Sequence, residues 1–154
     1  MVDAVTALGE EFRLNLAHGK PNGVVVAFDV VIEGTPRSVY SILRDDLYRI
    51  TREAVGNAFR HAHAGKIEVE ITYDDRMLRL RIRDNGIGID PKLLARGARD
   101  GHWGFPGMRE RAKSIGGQFE VWSEVNNGTE VEVTIPGAIA YRTSDDDSPD
   151  SIRG

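Results

Sequence analysis

The chain has 154 residues, 40% hydrophobic and 29% charged, with a formal net charge of −4 and no cysteine. That is the make-up of one globular domain with a core of its own, and mild acidity without a dominant basic stripe argues against nucleic-acid binding. The lack of cysteine excludes a disulfide framework and a thiolate metal site and suits a reducing compartment; no stretch is apolar enough to span a bilayer, and Asp3, Glu10 and Glu11 stand where a signal peptide would start basic.

Val2 to His18 reads as a helix, with Val5, Leu8, Phe12 and Leu16 near the helical period. Gly19-Lys-Pro-Asn-Gly23 breaks it, and β-branched Val24 to Ile32 reads as a strand ended by Gly34-Thr-Pro36. Asp45 or Asp46 is placed to cap a long helix running to about Ala64, with Leu47, Ile50, Ala54, Ala58 and Ala62 on its apolar side. Ile67, Val69 and Ile71 alternate with polar residues, as do Leu78, Leu80 and Ile82. A two-residue turn at Asp74-Asp75 would set Glu68 against Arg81, Glu70 against Arg79 and Val69 against Leu80.

Pro91 to Arg99 reads as a short helix, and Met108 to Ile115 as another ended by Gly116-Gly117. Phe119 to Ser123 and Thr129 to Ile135 are strands around Asn126-Asn127-Gly128. From Arg142 the chain is Ser-, Asp- and Pro-rich and reads as a disordered tail. The expected fold is α+β: a two-layer sandwich of a mixed, mostly antiparallel sheet with helices on one face. The expected division is 1–22 as an N-terminal helix or linker, 23–141 as the domain and 142–154 as the tail.

Three segments carry chemistry. On the long helix, Glu53, Asn57 and Arg60 fall at i, i+4 and i+7 and share one face beside the apolar stripe. An amide one turn from a carboxylate can hold hydrated Mg²⁺ on a phosphate chain. Glu53 can orient or deprotonate a nucleophile and Arg60 can meet phosphate oxygens. The bland alternative is a solvated helix face. Asp84-Asn-Gly-Ile-Gly88 ends a strand, where Gly86 and Gly88 let the backbone turn sharply and Asp84 can accept a hydrogen bond from an exocyclic amine. The alternative there is a glycine turn with an Asp cap.

The third segment, Gly101-His-Trp-Gly-Phe-Pro-Gly107, runs through Met108 into a helix, where backbone amides attract anions. It is no Walker loop, because no Gly-Lys-Ser/Thr follows. Trp103 and Phe105 can equally pack as a plug. His61, His63 and His102 lack the spacing of a metal site and read as partly exposed polar residues, with His61 near phosphate. Lys66, Arg109, Arg111 and Lys113 read as a solvated face.

In that order the three segments resemble the N, G1 and G2 boxes of the GHKL ATPases, the group holding gyrase B, Hsp90, bacterial histidine kinases and MutL. Leu47-Tyr-Arg-Ile-Thr-Arg-Glu-Ala-Val-Gly-Asn-Ala-Phe-Arg-His-Ala62 and Gly101-His-Trp-Gly-Phe-Pro-Gly-Met-Arg-Glu-Arg-Ala112 resemble the catalytic ATP-binding domain of sensor histidine kinases of the NarX- and DesK-like subgroup. The resemblance spans roughly Val24 to Ile135 and implies a Bergerat-type fold binding ATP with Mg²⁺ beneath a lid. It implies Asn57 and the acidic Glu53 as the metal and catalytic pair. Asp84 would take the adenine amino group, aided by a water and Thr129. Gly86 and Gly88 would shape the pocket, and Gly104 and Gly107 would let a short lid, Asp90 to Gly101, close. Arg60, His61 and Met108 complete the expected nucleotide contacts.

The second glycine loop departs from the family's commoner Gly-x-Gly-Leu-Gly, and no histidine of this chain sits in a phosphoacceptor motif. The implied partners are an upstream dimerisation and phosphoacceptor domain of the same protein, in a homodimer, and a response regulator. The implied location is cytoplasmic, in a parent protein anchored in the inner membrane or free of it. The abrupt start suits a domain cut from a larger protein. Alone, such a chain is expected to bind ATP and not to phosphorylate itself on histidine. Competing readings are an anti-sigma-factor serine kinase of the same fold and a degenerate nucleotide-binding docking module.

Overall fold

The computed structural model describes residues 1–19, 26–100 and 103–142. Five strands form one sheet: β1 Ala27–Glu33, β2 Lys66–Tyr73, β3 Met77–Asp84, β4 Gln118–Glu124 and β5 Gly128–Pro136. Their order is β1-β2-β3-β5-β4, with β1 parallel to β2 and every other pair antiparallel. The helices are α1 Val2–Gly19, α2 Ser41–His61, α3 Pro91–Asp100, α4 Phe105–Ser114 and the single turn α5 Gly137–Ala140. The α+β sandwich with a mixed, mostly antiparallel sheet is the expected one.

Period-two alternation decides which face is covered. Ile67, Val69, Ile71 and Tyr73 of β2 and Leu78, Leu80 and Ile82 of β3 are buried on the helix side. The opposite face carries a charge ladder. Arg79 and Arg81 reach Glu70 at 3.4 and 3.7 Å, and Arg81 also lies 3.3 Å from Glu130 and 3.6 Å from Glu132. Helix α2 presses Leu47, Ile50, Ala54 and Ala58 into the core, as its spacing predicts, and ends at His61, short of Ala64, with buried Ala62 as its C-cap. Its other buried flank meets α1, where Val5 and Leu8 are fully enclosed and Phe12 stacks on Phe59 at 5.4 Å. Phe28 of β1 closes on the same ring at 6.2 Å.

Four expectations about boundaries and register are corrected. The hairpin turns at Asp75-Arg76, with Asp74 and Met77 exchanging backbone hydrogen bonds of 3.0 and 3.3 Å. Glu70 therefore faces Arg81, Glu68 faces Arg83 and Val69 faces Ile82. A shift of two residues keeps every side chain on its face, so alternation alone cannot exclude it. Helix α2 starts at Ser41 with Tyr40 as N-cap and no side-chain cap. Asp46 lies inside it and pairs with Arg111 of α4 at 3.0 Å. Helix α4 begins three residues before Met108, since Pro106 suits a first turn. Strand β1 begins at Ala27; residues 20–25, and the tail from 143, lie outside the described residues.

Ile71 is fully buried at the centre of β2. Ile71→Ala should lower unfolding free energy by about 2–5 kcal/mol, read from the urea midpoint. A change below about 0.5 kcal/mol would contradict the described core.

Candidate functional site

On the covered face of the sheet, Ile82 and Val121 flank Val131 across β3, β5 and β4. The next rung toward one end turns polar. Asp84 ends β3, and Thr129 of β5 pairs with Ser123 of β4. Asp84 is only 7% exposed. Its Oδ1 accepts hydrogen bonds from the amides of Gly86 at 2.9 Å and Thr129 at 3.3 Å. Burial pushes the Asp84 carboxyl above its ordinary pKa, and the two amides pull it partly back. Both amides use Oδ1, so Oδ2 is the oxygen left for a ligand.

The glycine turn after β3 is forced by close packing. A Cβ on Gly86 would press into the carbonyl and side chain of Ala62, where the Ile87 amide donates to Ala62 O at 2.8 Å. Gly88 has φ +70°, and a Cβ there would meet the Glu124 carbonyl. Asn85 Oδ1 accepts from the amides of Gly65 and Lys66 at 3.0 and 2.9 Å, tying the turn to the start of β2.

Helix α2 forms one wall, and the segment before α4 leans on it. Asn57 Nδ2 donates to the Trp103 carbonyl at 2.6 Å. Gly104, the left-handed N-cap of α4 at φ +71°, packs where a Cβ would run into the Glu53 carboxylate. Phe105 is buried, with Trp103 stacked on it at 6.0 Å and Phe119 tilted against it at 6.4 Å. Helix α3 begins where Asp90 Oδ1 accepts from Lys92 N at 2.8 Å, and its Leu93 forms part of the rim.

These elements enclose a cavity of about 250 Å³. Of the predicted residues, Asn57, His61, Asp84, Gly88 and Thr129 line it. Glu53 is exposed beside Gly104, and Arg60 lays its guanidinium over Gly56. Gly86 holds the turn from behind. Gly107 is exposed, with open space where its Cβ would be. Met108 points into the core, 2% exposed, with its amide bonded to Gly104 O. Gly101 and His102 lie outside the described residues. Trp103 does more than plug the core, since it also lines the cavity. Sequence reasoning missed Ser123 and Asn85 as anchors of the floor; both look like ordinary strand-end and turn polar residues, and only the register brings them to the site.

An apolar cleft with a buried carboxylate on its floor, an amide on its wall and a helix N-terminus at its mouth defines a nucleotide-binding α+β domain. The model of the family described as "Histidine kinase-, DNA gyrase B-, and HSP90-like ATPase" matches residues 42–139, and the chain belongs to that family. It is similar to the Sensor protein VraS of Staphylococcus aureus, 42% identical over 96 residues, covering 61% of this chain and 26% of VraS. It is also similar to the Sensor histidine kinase LiaS of Bacillus subtilis, 33% identical over 134 residues, covering 87% of this chain and 33% of LiaS. Among solved structures, the Erythrobacter litoralis EL346 blue-light activated histidine kinase shares the fold, with TM-score 0.62 and 19% identity over 86% of this chain and 41% of that one. The chain spans about a third or less of the length of these curated relatives. It is an ATPase-family domain homologous to parts of sensor histidine kinases, and ATP is the ligand the family implies.

The raised Asp84 pKa has a sign for stability. The native state binds this proton more tightly than the unfolded chain, whose Asp titrates near about 3.9. Stability therefore falls as pH rises from there through the folded pKa, and stays lower above it. Without ligand, Asp84→Asn should melt at higher temperature than wild type at pH 7, and the gap should narrow toward pH 4. An Asp84→Asn domain no more stable at pH 7 would contradict this.

Proposed function

We propose that this chain is the catalytic ATP-binding domain of a sensor histidine kinase of the NarX- and DesK-like kind. It would pass the γ-phosphoryl group of ATP to a histidine on a dimerisation domain of the same, dimeric protein, from which an aspartate of a response regulator takes it. The observation that carries the reading is Asp84, a nearly buried carboxylate with one oxygen left for a ligand, on the floor of a cavity whose wall bears Asn57. Relatives that are sensor proteins favour a histidine over a serine acceptor.

In this reading Asp84 Oδ2 accepts from the adenine amine, and Ile82, Val131 and Trp103 cover the base. Mg²⁺ fits the donors present: the Asn57 side-chain oxygen and the Glu53 carboxylate are hard oxygens one helical turn apart, a partial set of the kind phosphates and water complete. Bound there, the ion neutralises charge on the phosphate chain. The Asn57 bond to Trp103 O leaves the amide oxygen to face the phosphates, Glu53 orients the incoming imidazole, and the amides at the α4 N-terminus, with Gly107 open, receive phosphate oxygens. Catalysis is then mostly positioning and charge stabilisation. Among the described residues no helix is long and apolar enough to cross a membrane; we place this domain on the cytoplasmic side of a parent protein.

Joined to its dimerisation domain and given γ-labelled ATP with Mg²⁺, the protein should acquire acid-labile, base-stable label, as a phosphoimidazole does. Asn57→Ala should cut the labelling rate by about 10²–10³-fold. Acid-stable label would instead point to a serine acceptor and overturn the histidine reading.

A further inference from the structure

Ser123 stands at the polar end of the covered face of β4, directly opposite Thr129 of β5. Its one hydroxyl meets three groups. The Ile89 amide donates to Ser123 Oγ at 2.7 Å, the Gly128 carbonyl lies 3.2 Å away as an acceptor, and Thr129 Oγ1 is 2.8 Å distant. A hydroxyl has a single hydrogen and two lone pairs. Either hydroxyl can donate across the Ser123–Thr129 pair. In the arrangement that uses all three contacts, the Ser123 hydrogen goes to the Gly128 carbonyl, Ile89 fills one lone pair, and the hydrogen between the two hydroxyls comes from Thr129.

In that arrangement Thr129 has only lone pairs to turn toward the cavity it lines. Beside it, Asp84 has committed Oδ1 to two amides and holds out Oδ2. The two side chains then present acceptors side by side. We propose that Ser123 is a positioning residue for base specificity: by holding the Thr129 hydrogen it makes the Asp84–Thr129 side-chain pair acceptor-only, so a purine with an amine at C6 is taken and one with a carbonyl there is refused. This rests on the nucleotide reading above. A 6-carbonyl would set its oxygen against Asp84 Oδ2 and Thr129 Oγ1 with no hydrogen between them.

The test is calorimetric titration of the whole chain, with Mg²⁺, by ATP and by inosine triphosphate, which carries the carbonyl. Wild type should prefer ATP. Ser123→Ala frees the Thr129 hydrogen and should lower that preference by about tenfold, mainly by gaining inosine triphosphate. Ser123→Thr, which keeps the hydroxyl, should retain the preference. Thr129→Val should also lower it, and adding Ser123→Ala to Thr129→Val should change it no further. Equal weakening of both nucleotides in Ser123→Ala, a preference unchanged in Thr129→Val, or a full Ser123→Ala effect in the Thr129→Val background would each overturn the inference. The Thr129→Val arm decides the matter if Ser123→Ala fails to fold. Wild type that binds neither nucleotide would overturn the nucleotide reading itself, whereas wild type that binds both alike would overturn only the specificity claim.

Discussion

A carboxylate kept out of water at the end of a central strand sets the terms for everything around it. Asp84 sits where the apolar face of the sheet would otherwise continue past Ile82, Val131 and Val121. Leaving it there costs stability, as its raised pKa reports. The cost is limited because the Gly86 and Thr129 amides converge on one oxygen. That convergence requires the sharp turn through Gly86 and Gly88, which in turn requires the close approach to Ala62 and Glu124. Ser123 and Asn85 then fasten the turn to β4, β5 and β2. Asp84 lines the cavity, and both amides use Oδ1 and leave Oδ2 without a hydrogen bond among the described residues.

The rest of the fold keeps that floor in place and sets the cover over it. On the helix side Ile67, Val69, Leu80, Ile82, Val131 and Val133 are buried, and partly buried Glu–Arg pairs tie the strands on the other face. The cover is fastened at both levels. Phe105, Met108 and Ala112 of α4 are set in the core, and above them stand the Asn57 hydrogen bond to the Trp103 carbonyl, the fit of Gly104 against Glu53 and the Asp46–Arg111 pair.

Much of this was legible in the residue order because local patterns carried it. Alternation in β2 and β3 and the apolar stripe of α2 marked the layers, and Asn57 and the glycine turn fall at the cavity, whereas Glu53 lies exposed beside Gly104. The misses have a common physical source, which is that local rules do not see across strands. Period-two alternation leaves a two-residue slip in the hairpin unresolved, and only the Asp74–Met77 bonds settle it. Asp46 looked like a cap because its partner Arg111 is 65 residues away. Ser123 carried no signal at all, because its role exists only once β4, β5 and the Ile89 amide meet.

The most direct test of the account is a calorimetric titration of ATP into the wild-type domain and Asp84→Asn, with and without Mg²⁺, alongside circular dichroism to show that both are folded. The account predicts binding that Mg²⁺ strengthens in wild type and that Asp84→Asn abolishes. Equal ATP affinity in the two folded proteins would contradict it, because the buried carboxylate would then have no part in reading the base.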